Sequence, residues 1–247
     1  MNRINIVSDD FVENIFHYST IDSTNSLAKN VLDLPKHGLC VIWADKQSAG
    51  RGQRDNSFCS PLGGLYASII CPIADITKHF ELNRAMNLAI RDAVAALCPG
   101  AALSIKWPND IFWSGKKICG MLLESTLHST KHLVVGFGIN VNGDHDLFSG
   151  VLRESATSME IQTNKSFDIA QLLLDICRRF QANRFIDPRL LHSVYVNSLF
   201  RRGSPIRIGG KQGIFETVLE DGRLCLNTGA HVEHLLSGSI EFIVETS

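Results

Sequence analysis

The sequence predicts an α+β fold, a mixed, largely antiparallel sheet covered by helices, with a small β-barrel at its C-terminal end. Three observations predict it. Apolar runs of strand length, such as Leu39 to Ala44 and Gly64 to Cys71, are interspersed with segments whose apolar residues recur at helical spacing. The stretch from Ser104 to Ser125 sets Ile111-Phe112-Trp113 and Ile118 to Leu123 on either side of Ser114-Gly115-Lys116-Lys117, which is turn chemistry and reads as a β-hairpin. Beyond Phe200 the texture changes to short runs separated by Gly209-Gly210 and Asp221-Gly222, the pattern of a small β-barrel. The change of texture divides the chain into residues 1–200 and 201–247.

In chain order, Ile15 to Tyr18 is the first strand. Ser23 or Thr24 caps a helix running through Leu34, with Leu27, Val31 and Leu34 at helical spacing and Pro35 as its stop. Leu39 to Ala44 is continuously apolar and reads as a buried strand. Asp45 to Gly63 is polar and punctuated by Gly50, Gly52 and Pro61; so long a loop in a compact domain is usually functional or disordered. Gly64 to Cys71 returns as a strand. Leu82 to Leu97 places Met86, Leu88, Ala89, Ala93 and Leu97 on a broad apolar face and is the principal helix. Ser104 to Asn142 supplies the hairpin and a further strand. Phe167 to Phe185 and Arg189 to Phe200 are two helices meeting at Asp187-Pro188. Pro205 to Ile208, Gly213 to Leu219, Arg223 to Leu226 and Ser239 to Val244 are the C-terminal strands.

Composition narrows the function classes. With 247 residues, 45% hydrophobic and 20% charged, the chain has the make-up of an ordinary globular enzyme. Lys+Arg 24 against Asp+Glu 25 leaves no basic surplus to attract nucleic acid. Seven cysteines without a C-x-x-C pair read as reduced thiols, and His231 and His234 have no Cys or carboxylate cluster near them that would complete a zinc site. The N-terminus has no apolar signal core, and no apolar run approaches the roughly 20 residues of a membrane span. The expectation is a cytoplasmic protein that engages neither DNA nor membrane; a homodimer is left open.

The chemistry concentrates around the hairpin. Pro108 biases Trp107 toward extended backbone and supplies no N–H, so Lys106-Trp107-Pro108-Asn109-Asp110 interrupts the first strand. Asn109 and Asp110 then offer oxygen ligands at a strand edge, and Lys117 enters the returning strand facing them. That set suits a polyanion accompanied by Mg²⁺, although two lysines and an acid on a hairpin are by themselves more often a solvated turn. In the long loop, Gly50-Arg51-Gly52 can turn backbone N–H groups toward an anion while Arg51 adds a charged fork; an ordinary Gly-rich loop is the alternative. Ser23, Thr24 and Asn25 at the helix start, with Gln47, offer donors and acceptors to a small polar ligand, while capping alone also accounts for Ser23 and Thr24. Trp107, Trp113, Phe58 and Phe112 serve equally as pocket wall or as core.

Four ordered blocks carry a resemblance. Ser23-Thr24-Asn25-Ser26-Leu27-Ala28, Gln47 to Gly52, Lys106 to Asp110 with Lys117-Ile118-Cys119-Gly120, and Gly136-Phe137-Gly138-Ile139-Asn140-Val141-Asn142 resemble the signature of biotin protein ligases, over nearly the whole chain. The resemblance implies a class II synthetase/biotin ligase-like fold whose C-terminal unit is an SH3-like β-barrel. It implies ATP-dependent biotinylation of one lysine on a biotin carboxyl carrier domain of a carboxylase, through biotinoyl-5′-AMP, with ATP and Mg²⁺ as cofactors. Lys117 and Arg51 are then catalytic. Ser23, Thr24, Asn25, Gln47, Arg51, Gly52, Gln53, Lys117 and Gly120 hold biotin. Asn109, Asp110, Asn140 and Arg54 hold ATP, and Asp110 holds the metal. The DNA-binding helix-turn-helix of some members is not expected, because the first block begins at residue 23.

The loop departs from the family pattern. Gln53 stands where a basic residue usually follows Gly-Arg-Gly; Arg54 comes next, and Asp55 adds a negative charge. The departure bears on how well the loop retains the adenylate, and it is the one motive for reading the chain as a non-catalytic biotin sensor. A lipoate–protein ligase or lipoyl transferase is the other alternative, against which the KWPND and GRG blocks stand.

Overall fold

A computed structural model describes residues 2–3, 12–31, 35–36, 38–53, 56–126, 131–143 and 152–243; Leu34, Arg54 and Asp55 lie outside them. In chain order the elements are β1 (Asn2–Arg3), β2 (Val12–Tyr18), α1 (Thr24–Lys29), β3 (Leu39–Ala44), β4 (Leu65–Pro72), α2 (His79–Leu97), β5 (Leu103–Lys106), β6 (Asp110–Trp113), β7 (Lys116–Ser125) and β8 (His132–Ile139). There follow α3 (Leu152–Ser155), α4 (Met159–Thr163), α5 (Ile169–Asn183), α6 (Pro188–Asn197), β9 (Pro205–Ile208), β10 (Lys211–Val218), β11 (Leu224–Asn227), β12 (Val232–Leu235) and β13 (Glu241–Phe242).

The first sheet has eight strands in the order β1-β2-β3-β4-β8-β7-β6-β5. Among the described strands only β2 and β3 run parallel, and every other pair is antiparallel, so the sheet is mixed and largely antiparallel as expected. Alternation of side chains gives it two different faces. On one face Val41, Leu65, Ala67, Ile69, Val135 and Ile139 join α2 and α5 in the main core, where Met86, Ile90, Leu172 and Phe180 are fully covered. On the other face Cys40, Ile42, Ile70 and Val134 pack under Ala28 of the short helix α1. Both faces of β3 are thus covered, which is why its sequence is apolar without interruption.

Local details refine the sequence expectations. Ser23 caps α1, its Oγ accepting from the Ser26 N–H, but the helix ends at Lys29 rather than running on, because Asn30 folds its own amide back onto Ser26 O. The hairpin turn is Ser114-Gly115 alone, both at positive φ (48° and 82°), so Lys116 and Lys117 already belong to β7. Strand β1, helices α3 and α4 and strand β12 were not anticipated; they are short, and periodicity over two to five residues carries little signal.

The C-terminal barrel expected from sequence, SH3-like by resemblance, does not form. Among the described residues the five strands make an open sheet in the order β12-β11-β10-β9-β13, with β12 paired only to β11 and β13 only to β9. Closure would require a ladder between the two edge strands, yet β13 spans two residues and Val232 and His234 of β12 are exposed. Short runs between glycine turns specify strands and turns but not which partner each edge strand takes, so one pattern serves either outcome. The open sheet instead buries Ile206, Ile208, Phe215 and Leu224 in the same core as α2.

One hydrogen bond ties the two sheets together. Trp107, 2% exposed in the β5–β6 turn, donates from Nε1 to the carbonyl of Gly222 at 2.9 Å. Gly222 sits at φ +92°, and a Cβ there would lie 2.4 Å from the Phe80 ring, so its carbonyl has little freedom to find another donor. Trp107→Phe leaves that buried acceptor without a partner and should cost about 1–3 kcal/mol, read as a lower urea midpoint at unchanged m. A loss below about 0.5 kcal/mol would show that the bond does not couple the sheets.

Candidate active site

The site is a hollow in the face of the first sheet that carries α1. On that face β8 presents Val134, Gly136 and Gly138, flanked by Gly120 and Leu122 of β7 and by Tyr66 and Ser68 of β4. Glycine at two successive positions of one face removes the side chains that would fill it. A cavity of about 220 Å³ results, roofed by the loop after β3. That loop is tied down by backbone bonds from Ser48 to Ile21 O, from Ala49 to Asp22 O and from Phe58 to Gly50 O. A Cβ at Gly50 would lie 2.3 Å from the Phe58 carbonyl, so this close chain approach requires glycine.

Ser23, Thr24, Asn25, Gln47, Arg51, Gly52, Gln53, Asp110, Lys117 and Gly120, all expected from sequence, border this one cavity. Its closed end is a polar cluster. The Thr24 N–H donates to Gln47 Oε1 at 2.8 Å, and Gln47 Nε2 donates to Ser60 Oγ at 2.8 Å. The fully buried Ser68 hydroxyl lies 2.6 Å from Asn25 Oδ1 and 2.8 Å from Thr24 Oγ1, and its single proton serves one of them at a time. Such a cluster suits a small ligand carrying both N–H and C=O.

Two charged clusters adjoin the cavity, through Arg51 and through Asp110 with Lys117. Arg51 Nη1 donates to Glu124 Oε2 at 3.1 Å, and the same carboxylate accepts from Asn25 Nδ2 at 3.0 Å and Lys29 Nζ at 2.8 Å. Burial pushes the Glu124 carboxyl up, but the bonds from Lys29 and Asn25 and the charges of Arg51 and Lys29 outweigh it and hold it below the usual range. Lys117 Nζ is 2.8 Å from Asp110 Oδ1 and 5.9 Å from the centroid of the Phe58 ring. Burial lowers the pKa of Lys106, the nearby Lys117 charge lowers it further, and Asp110 acts in the opposite sense.

A second cavity of about 190 Å³ adjoins the first and shares Ser57, Phe58 and Lys117 with it. It is the more apolar of the two, bordered by Pro61, Tyr66 and Ile118. Burial pushes the Tyr66 phenol upward, and its O–H donates to Pro61 O. Asn140 borders this second cavity, with its amide donating to Thr157 O at 2.9 Å. Asn109 borders neither: it is buried, and its Nδ2 donates to Met121 O. His231 and His234 are exposed, His234 on β12 and His231 just before it, and neither borders either cavity.

Ser60, Ser68 and Glu124 escaped the sequence reading, and Gly136, named within the fourth block, was not assigned to the site. Ser68 and Glu124 carry a faint signal, as the polar interruptions of apolar strands β4 and β7. Gly136 is the most sharply constrained: a Cβ there would fall 1.8 Å from Asn25 Oδ1. Gly136→Ala should therefore destabilise the protein by about 1–3 kcal/mol, and most of that cost should disappear in an Asn25→Ala background. Chemical denaturation of the four-protein cycle checks it; full additivity would mean that strand β8, rather than the amide, rejects the methyl group.

Comparison with known proteins agrees with this geometry. Residues 17–142 match the biotin/lipoate A/B protein ligase family. The biotin–[acetyl-CoA-carboxylase] ligase of Paracoccus denitrificans is 31% identical over 83% of this chain and 90% of its own length. The bifunctional ligase/repressor BirA of Bacillus spizizenii is 27% identical over 97% of this chain and 77% of its own length. Among solved structures, the biotin protein ligase of Aquifex aeolicus in complex with biotin and ATP superimposes with a TM-score of 0.80 at 25% identity, covering 94% of this chain and 99% of that one. The chain belongs to the biotin/lipoate A/B protein ligase family.

Proposed function

We infer that the chain is a biotin–protein ligase, which activates biotin with ATP and passes the biotinoyl group to a lysine of a carrier protein. The observation that carries this reading is the position of Lys117, in the wall common to the polar cavity and the apolar one. Two substrates, one in each cavity, would meet at a single ammonium group. The complex of the Aquifex ligase with biotin and ATP supports the same pair of ligands here.

In the first step a carboxylate oxygen of biotin attacks the α-phosphorus of ATP, the bond to the bridging oxygen breaks, and pyrophosphate leaves with the electron pair. Two anions about 4 Å apart at an effective dielectric near 20 repel by roughly 4 kcal/mol, so cationic groups must lie between them. Lys117 and Arg51 fill that need. Thr24, Asn25, Gln47 and Ser68 hold the ureido ring at the closed end, with Ser23 at the start of α1, and Gly52, Gln53 and Gly120 line the chain leading out. Asn140 faces the nucleotide; the contribution of Asn109 is to brace the turn that presents Asp110. In the second step the acceptor amine attacks the acyl carbon, loses a proton, and AMP departs.

Among the described residues no group of three or more His, Cys, Asp or Glu converges as a metal cage. Asp110 alone fits Mg²⁺, which is commonly held by one or two carboxylates with substrate phosphates completing its shell; bound there, it would neutralise phosphate charge. We assign catalysis to residues 1–200 and a C-terminal unit to 201–247. We take the acceptor to be a biotin carboxyl carrier domain, in keeping with the name of the Paracoccus relative. No helix among the described residues is long and apolar enough to cross a membrane, and we place the reaction in the cytoplasm.

Incubation with biotin, Mg·ATP and a carrier domain, followed by intact mass, tests the reading; lipoate in place of biotin should leave the carrier unmodified. Lys117→Ala should lower pyrophosphate release on the order of 10²–10³-fold while the thermal midpoint stays within a few degrees. Near-normal release by the folded variant would remove Lys117 from the mechanism.

A further inference from the structure

Glu124 stands where the loop arginine, the helix α1 and the strand β7 converge. Lys29 and Asn25 are one helical turn apart on α1 and both reach its carboxylate, Lys29 at Oε1 and Asn25 at Oε2. Arg51 reaches Oε2 from the loop. The carboxylate side chain is 17% exposed and the arginine 40%, so the acid is the fixed member of the pair and the guanidinium the movable one. Lys29 already balances the charge of Glu124, which leaves Arg51 as a surplus cation. Arg51 also borders the polar cavity in this same conformation. A guanidinium carries five N–H donors, and the bond to Glu124 engages its Nη1.

Resting on the ligase reading above, we propose that Glu124 is a positioning residue for ligand binding. It anchors Arg51 by one nitrogen at the cavity rim, so that the remaining donors of the fork meet the carboxylate of biotin or the phosphoryl oxygens of its adenylate. Anchoring removes side-chain freedom that binding would otherwise cost, the general advantage of preorganisation. Lys29 keeps the arrangement from presenting a bare carboxylate to an incoming anion.

The test is calorimetric titration of the wild type, Glu124→Gln, Arg51→Ala and the double variant with biotin and with biotinol, in which an alcohol replaces the carboxylate. Glutamine keeps an acceptor for Asn25 while removing the charge that holds Arg51. Glu124→Gln should weaken biotin roughly three- to tenfold and biotinol less than about twofold, and it should have no further effect on biotin once Arg51 is alanine. Equal weakening of both ligands would assign Glu124 a structural role through Asn25 and overturn the proposal. So would a loss that persists without Arg51, or tighter biotin binding by Glu124→Gln, which would make the acid a competitor for the arginine. A wild type that binds neither ligand overturns the ligase reading itself, whereas binding with any of these three patterns overturns the positioning role alone.

Discussion

Everything at the site depends on the missing side chains of Gly136 and Gly138. A strand sends successive side chains to opposite faces, so Leu133, Val135, Phe137 and Ile139 of β8 go to the core while Val134, Gly136 and Gly138 face α1 and the loop. Two successive vacancies on one face of a central strand open a trough about 7 Å long, two residues at the strand rise. The Asn25 amide and the Phe58 ring approach to within contact of those glycines, closer than any side chain would permit. Helix α1, the long loop and the hairpin then contribute their polar groups to the rim of a hole that the sheet has already made.

Charge is distributed over that rim unequally. In these ion pairs three cations, Lys29, Arg51 and Lys117, stand against two carboxylates, Asp110 and Glu124. Each carboxylate is matched to a lysine, Glu124 to Lys29 and Asp110 to Lys117, so the arginine supplies the excess. Because the ion pairs are partly exposed, each is worth about 1 kcal/mol or less.

The site was more legible in the sequence than the architecture at the chain's end. Ser23, Thr24, Gln47, Arg51 and Lys117 belong to ordered blocks whose residue types announce polar contacts, and folding brings them to one cavity. Leu39 to Ala44 and Pro205 to Ile208 were legible as strands to the residue, because their boundaries are set locally by turns. The barrel was not, since strand content is a local property and closure depends on which partner each edge strand takes; β13 follows β12 closely in sequence yet pairs with β9 instead. Ser68 and Glu124 were missed for a related reason. A polar residue within a strand announces itself, but its purpose lies in elements many residues away, here Asn25 and Arg51.

The Lys106 to Asp110 block shows how a motif that reads as chemistry can consist largely of support. Trp107 is bonded to Gly222 of the second sheet, the Pro108 carbonyl accepts from Asn87 of α2 and from Tyr195 of α6, and Asn109 is bonded to Met121 of β7. Of these residues only Asp110 borders the polar cavity, where it meets Lys117. The turn is therefore held by both sheets and two helices, and a carboxylate so placed has few ways to move. For the proposed role of Lys117 rigid placement matters, because a lysine acting between two anions must be near both, and a displacement of about 1 Å at a reacting centre can cost on the order of a hundredfold in rate. The residue types of the block serve to fix one acid, and through that acid to fix the resting position of the lysine.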